Sequence, residues 1–215
     1  MIAAITTPLI DFFFGQYAMH APEDIALELA GVFLGLISVW YAKKNSIWVY
    51  PTGMISTLIF VYLLWKWMLL GDMLINAYYF MMSLYGWVYW TQKKQGVVVH
   101  PIQGMTKREG SISLIYFILA LGFVYAVYQN FGMWENWTAY IDTFTTAIFF
   151  VGMWLMARRK IEHWLFWIVG DLISVPLYFY KGLTITSLQY CIFTIIAIYG
   201  YRAWKKEINT RTTLA

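Results

Sequence analysis

Charge is what this chain has least of. Only 12% of its 215 residues are Asp, Glu, Lys or Arg, about half the share of an average soluble domain. Hydrophobic residues make up 61%, and the mean hydropathy is +0.59. That balance excludes an ordinary soluble fold and predicts a polytopic membrane protein. Cysteine is nearly absent. Cys191 is the only one and lies in an apolar run, so it excludes an intrachain disulfide and reads as a small core residue. His20, His100 and His163 are dispersed, at or beyond the ends of the apolar runs, and no His/Glu/Cys spacing suggests a metal centre. There is no Walker A motif, no HExxH and no Ser-His-Asp pattern. Neither an enzyme nor an intrinsic ATP drive is expected, and no cofactor is implied. No lysine lies between Thr184 and Trp204 to carry a retinal Schiff base. The N-terminus lacks a basic n-region, and Pro8 and Asp11 interrupt its apolar stretch, so it predicts an extramembrane lead-in rather than a signal peptide. Phe12, Phe13 and Phe14 suit an interfacial segment there, and no lipidation motif is present.

What is present is a series of long apolar runs. Seven are long enough for a bilayer, which about 20 helical residues cross: 24–42, 48–67, 72–91, 112–130, 138–157, 163–180 and 184–204. Short connections at 69–71 and 181–183 predict antiparallel neighbours. The loops on one side, with the C-terminal tail, hold 13 of the 15 basic residues; the other side holds only Lys66 and Lys181. That second side instead carries Asp11, Glu23, Asp24, Asp72, Glu135 and Asp142. By the positive-inside rule the N-terminus lies outside and the C-terminus in the cytoplasm, which requires an odd number of spans. The pI near 9.0 therefore reads as topology, not as a nucleic-acid face.

Aromatics crowd the segment ends. Trp40, Trp65, Trp67, Trp87, Trp90, Trp134, Trp137 and Trp204 predict interfacial belts. Tyr85-Gly86-Trp87 near the end of segment three, followed by Trp90 and Lys93-Lys94, has a counterpart in Tyr199-Gly200-Tyr201, Trp204 and Lys205-Lys206. The two Tyr-Gly pairs lie 114 residues apart. Segments two and six align at a similar offset, with Gly53 on Gly170 and Tyr50 on Trp167. This predicts three helices, a linker helix and three more, a 3+1+3 parallel repeat about an axis along the membrane normal. The expected divisions are a lead-in at 1–23, a first repeat at 24–91 and a cytoplasmic loop with linker helix at 92–137. A second repeat at 138–204 and a cytoplasmic tail at 205–215 follow.

The sixth segment, His163 to Tyr180, carries the chemistry. Trp164, Trp167, Asp171, Ser174 and Tyr178 recur at steps of three or four and share one helix face. A bare carboxylate at membrane depth costs several kcal/mol and usually marks a site or pathway; interhelical glue is the plainer alternative. A carboxylate beside two indoles suits a flat cation. Asn76 and Gln189, a turn into segments three and seven, could hydrogen-bond a carboxamide or ribose, or bind neighbouring helices. Glu28 is a second acid near the outer mouth. Pro51 and Pro176 interrupt segments two and six as kinks or hinges.

Taken together, Glu28 with Gly31-x-x-x-Gly35, Tyr50-Pro51, Gly71-Asp72, Tyr85-Gly86-Trp87 and Trp164-x-x-Trp167-x-x-x-Asp171 resemble the PnuC family of nicotinamide riboside transporters, over about residues 24–206. The resemblance implies an all-α membrane protein of seven transmembrane helices, similar in fold to SWEET sugar transporters. It implies facilitated uptake of nicotinamide riboside across the bacterial inner membrane, trapping by cytoplasmic phosphorylation, and a homo-oligomer, a trimer. The motif match implies substrate binding by Trp164, Trp167 and Asp171, with Asn76, Tyr79, Gln189, Tyr50 and Tyr178 as further contacts. The expected partners are the lipid bilayer and a cationic vitamin-like nucleoside. A thiamine carrier of the same family is the first alternative, and a seven-helix receptor or scaffold that does not transport is the second.

Overall fold

The structure is a computed structural model that describes residues 21–94, 96–134 and 136–214. The lead-in with Asp11, Phe12, Phe13, Phe14 and His20, and the acid Glu135, lie outside the described residues. Among the described residues seven long helices make up most of the structure: α1 Pro22–Lys43, α2 Val49–Lys66, α3 Leu70–Thr91, α4 Lys107–Asn130, α5 Thr138–Ala157, α6 His163–Tyr180 and α7 Thr184–Leu214. A two-stranded hairpin, β1 Lys93–Lys94 and β2 Val97–Val98, lies between α3 and α4.

Local chemistry sets the helix ends. Pro22 opens α1 with Glu23 and Asp24 in its first turn, a placement that suits the positive end of the helix dipole. Helix α4 begins five residues before the apolar run because Thr106 and Glu109 form a capping box. The Thr106 hydroxyl accepts from the Glu109 N–H at 3.2 Å and the Glu109 carboxylate accepts from the Thr106 N–H at 2.9 Å. Helix α7 continues through the segment read as a tail, to Leu214. Left-handed residues make the turns: Asn45 at φ 53 after α1, Met68 at φ 60 after α2, Arg159 at φ 56 after α5 and Gly182 at φ 77 after α6.

The surface is that of a membrane protein. Leu29, Phe33, Leu114, Ile118, Leu119, Leu172 and Ile195 are exposed along the helices, while Ser38, Ser56, Ser83, Thr145, Asp171 and Ser174 are buried. That reverses the arrangement of a soluble bundle, where such apolar patches are rare. Helices α1, α2, α4 and α5 are long and apolar enough to cross a membrane. The interior uses small residues and hydroxyls to hold backbones close. Ser56 Oγ donates to the Gly31 carbonyl at 2.7 Å, and Ser38 Oγ donates to the Val49 carbonyl at 2.7 Å.

Helix α1 packs on α2, and α2 on α3; α5 packs on α6, and α6 on α7. The two sets meet through α1 with α7 and α3 with α5, while α4 lies against α5. The contacts that join them are reciprocal. Trp90 at the end of α3 donates its Nε1–H to the Ala157 carbonyl at 3.1 Å, at the end of α5. Trp204 in α7 donates to the Ala42 carbonyl at 2.9 Å, at the end of α1. Trp90 and Trp204 are 3% and 0% exposed, so the belt expectation fails for both. A buried indole N–H needs an acceptor, and the free carbonyls at helix C-termini supply it. Trp40, Trp65, Trp87 and Trp137 are exposed as a belt requires.

Each set also seats a ring on a glycine. Tyr50 of α2 lies against Gly86 of α3, and Trp164 of α6 lies against Gly200 of α7, with no room at either glycine for a Cβ. The two matching rings are thus Tyr50 and Trp164, one helical turn from the alignment of Tyr50 with Trp167. On the basic side, the linker is tied down by backbone bonds from Gln103 N to the Arg159 carbonyl at 3.2 Å and from Ile161 N to the Gln103 carbonyl at 3.0 Å. At the acidic side, both lone cations are consumed: Lys66 pairs with Asp24 at 2.7 Å, and Lys181 pairs with Asp142.

Adding a methyl at either seat forces the ring off its helix. Gly86→Ala and Gly200→Ala are each expected to lose about 2 kcal/mol, the usual cost of overpacking. Gly122→Ala in α4, where nothing lies within 4 Å of the new Cβ, should match or slightly exceed the parent stability, since alanine favours a helix by up to about 1 kcal/mol over glycine. Thermal unfolding of the three variants in detergent separates the two outcomes.

Candidate functional site

Between the two helix sets lie two cavities. The first, of about 240 Å³, is lined by residues including Gly35, Ser38, Gly53, Thr57, Tyr79, Ser83, Phe149, Met153, Trp164, Trp167, Asp171, Tyr190 and Phe193. It extends towards the basic end, where Ala42, Val49 and Met156 also line it. The second, of about 250 Å³, lies towards the acidic end and is lined by Phe60, Asp72, Ile75, Asn76, Tyr79, Tyr128, Asp142, Thr145, Thr146, Phe149, Ser174, Tyr178 and Tyr190. Tyr79, Phe149 and Tyr190 belong to both.

The stripe on α6 is divided between these cavities. Trp164, Trp167 and Asp171 face the first; Ser174 and Tyr178 face the second. The helix stays continuous through Pro176. The Asp171 side chain is the first cavity's single charge: no Lys, Arg or His is among its lining residues. Asp171 is 2% exposed, and its Oδ2 has no hydrogen-bond partner among the described residues. A carboxylate so placed has no counter-ion in its cavity wall, and its desolvation costs several kcal/mol when charged. Trp164 Nε1 and Ser174 Oγ are likewise buried without partners.

Aromatic packing fixes the walls. Trp164 is held between His163, at a centroid distance of 4.4 Å, and Trp204, at 5.8 Å. It is 1% exposed, so it forms a wall more than an open face. Trp167 is half-buried and lies 5.3 Å from Phe149, near parallel. Phe149 stacks in turn on Tyr190, with 6.0 Å between centroids and 5° between planes. Its ring is pressed against Gly170. Any larger residue there would displace it, so Gly170 is the residue that lets α5 deliver a ring between the two cavities.

The residues read from the sequence separate into three groups. Trp164, Trp167, Asp171 and Tyr79 line the first cavity. Asn76, Tyr178 and again Tyr79 line the second. Asn76 Nδ2 donates to the Asp72 carbonyl of its own helix at 3.0 Å. Gln189 and Tyr50 line neither cavity. Tyr50 is fully buried, edge-on to Trp90 at 5.1 Å, and its hydroxyl has no partner among the described residues. Phe149 and Tyr190 went unread in the sequence. Their signal was present as helical spacing: Phe149, Met153 and Met156 on α5, and Tyr190, Phe193 and Ala197 on α7. Thr57, Ser38 and Ser83 in the cavity wall had no comparable signal.

Because the Tyr50 hydroxyl is buried without a partner among the described residues and Tyr50 lines neither cavity, Tyr50→Phe should be neutral or stabilising by up to about 2 kcal/mol. Its ligand affinity should equal that of the parent. A lower melting temperature with weakened binding would instead give the hydroxyl a partner in the bound state.

The family model for the nicotinamide mononucleotide transporter matches residues 25–206. The nicotinamide riboside transporter PnuC of Escherichia coli strain K12 is 25% identical to the chain, over 96% of this chain and 99% of that one. The riboflavin/roseoflavin transporter RibM of Streptomyces davaonensis is 27% identical, over 82% of this chain and 83% of that one. A crystal structure of the vitamin B3 transporter PnuC shares the fold, with a TM-score of 0.67 and 20% identity over 96% of this chain and 88% of that one. With the family model matching from α1 into α7, the chain belongs to the nicotinamide mononucleotide transporter family.

Proposed function

We propose that the protein carries nicotinamide riboside across the bacterial inner membrane, into the cytoplasm. One observation carries this reading beyond family membership: a buried carboxylate without a partner, in a cavity that has an indole wall and no basic residue. Nicotinamide riboside brings a flat pyridinium. Its positive charge would replace the counter-ion that Asp171 lacks, and its ring would lie against Trp167, since Trp164 is enclosed by its neighbours. Cation–π attraction over an indole contributes about 1–2 kcal/mol when desolvated. The protein is then a carrier rather than an enzyme.

The same reading includes seven spans in a 3+1+3 plan, with α4 as the linker. It is supported by pairs that recur at 114 residues: Asn45 with Arg159 and Met68 with Gly182 in left-handed turns, Gly86 with Gly200 beneath a ring, and Trp90 with Trp204. Two parallel units around one cavity suit rocking about a fixed site, the usual means of alternating access. The distribution of Lys and Arg supports the N-terminus outside and the C-terminus inside. A homo-oligomer, with three copies as the family resemblance implies, belongs to this reading as well.

RibM, a riboflavin/roseoflavin transporter, makes a larger ring the rival. A neutral flavin would leave Asp171 uncompensated, whereas thiamine would satisfy it. Uptake of radiolabelled nicotinamide riboside by sealed proteoliposomes tests the reading directly. Saturable uptake is expected, with weak competition by riboflavin; binding without uptake would leave a receptor. Full competition by thiamine at equal concentration would move the assignment to the thiazolium. Asp171→Asn should weaken affinity for the cation about tenfold, the cost of about one charge-assisted contact. Unchanged affinity at matched membrane levels would remove the charge from recognition.

A further inference from the structure

The second cavity has its own chemistry. The first is mostly aromatic and aliphatic, with one acid. The second presents two carboxylates, Asp72 and Asp142, together with Asn76, Thr146 and Ser174. Lys181 is the cation that acts on both acids, and it is paired with Asp142. Lys181 is committed to Asp142, so Asp72 has no ion-pair partner among the described residues and can accept from a ligand's donors. Ser174 supplies a separate indication. It is 0% exposed, lines the cavity, and its Oγ has no partner among the described residues. A buried hydroxyl left unbonded costs about 1–3 kcal/mol, so a ligand with its own donors and acceptors would satisfy it. Tyr79, Phe149 and Tyr190 line both cavities, and the Phe149 and Tyr190 rings are stacked.

We propose that this second cavity is a distinct binding station for a polyhydroxylated cation, separated from the Asp171 cavity by the Tyr79–Phe149–Tyr190 partition. The inference rests on the assignment of nicotinamide riboside as the carried solute. A nucleoside approaching from the acidic end would bind first by its hydroxyls and its charge, to Asp72, Asn76, Asp142 and Ser174. It would pass the partition when Phe149 moves, and then meet Trp167 and Asp171. The division of labour follows the linings: hydrogen bonds at the first stop, and ring stacking with one charge at the second. Each station should hold the solute weakly enough to release it, because conduction through serial sites requires departure as well as arrival.

Binding stoichiometry on the full-length protein in nanodiscs decides the matter. Equilibrium dialysis with radiolabelled nicotinamide riboside should give two sites per chain. Thr146→Trp, which fills the second cavity, and Thr57→Trp, which fills the first, should each leave one. Where a tryptophan variant fails to fold, Asn76→Ala combined with Ser174→Ala serves instead. It should weaken one class of site about tenfold, the effect expected for about 1.4 kcal/mol, and leave the other unchanged. One site per chain in the parent protein overturns the proposal. So does loss of all binding in a folded Thr146→Trp, which would mean one solute spanning both cavities. In either case binding persists in the parent, and the carried solute stands; no binding by the parent removes both readings.

Discussion

Asp171 is buried with no cation in its cavity wall and no partner for its Oδ2 among the described residues, and the surrounding structure must offset that cost. An uncompensated carboxylate disfavours the apolar packing around it by several kcal/mol. The helices therefore have to be held by contacts that do not involve it. Those contacts lie at the basic end. Tyr50 sits on Gly86 and Trp164 on Gly200, and each of Trp90 and Trp204 donates to the final carbonyls of a helix in the other set. An indole bond across the two sets satisfies groups that a helix end would otherwise expose. It also leaves the middle of the bundle open for a solute.

The opposite end is held differently. The pairs Lys66–Asp24 and Lys181–Asp142 join the ends of α1 with α2 and of α5 with α6, so they act within a set rather than between sets. A reciprocal aromatic junction between the sets at one end is thus matched by ion pairs within each set at the other. The partition of Tyr79, Phe149 and Tyr190 lies between the two ends, and Gly170 leaves the space in which Phe149 rests. Motion of one ring would then connect the two cavities.

Much of this was legible because single helices carry it. Long apolar runs marked α1, α2, α4 and α5, and their existence needs no knowledge of neighbours. The Trp164, Trp167, Asp171 stripe was legible for the same reason: periodicity along α6 alone puts those residues on one face. The misreadings are those that depend on a second helix. Trp90 and Trp204 resembled belt residues by position, and only the carbonyls of α5 and α1 draw them inside. Phe149 enters the site because Gly170 on another helix lacks a side chain. Gln189 and Asn76 resembled each other by depth, yet only Asn76 meets a cavity. The short offset error between α2 and α6 had the same origin, since Tyr50 and Trp164 match by the glycines beneath them.

The account's central claim is that Asp171 and Trp167 receive a flat cation. An experimental structure with nicotinamide riboside bound tests it most directly. The pyridinium ring is expected against the Trp167 indole, with the Asp171 carboxylate beside the ring and no lysine or arginine in contact. A ring seated away from α6, or an Asp171 carboxyl still unpartnered in the occupied cavity, would contradict the account.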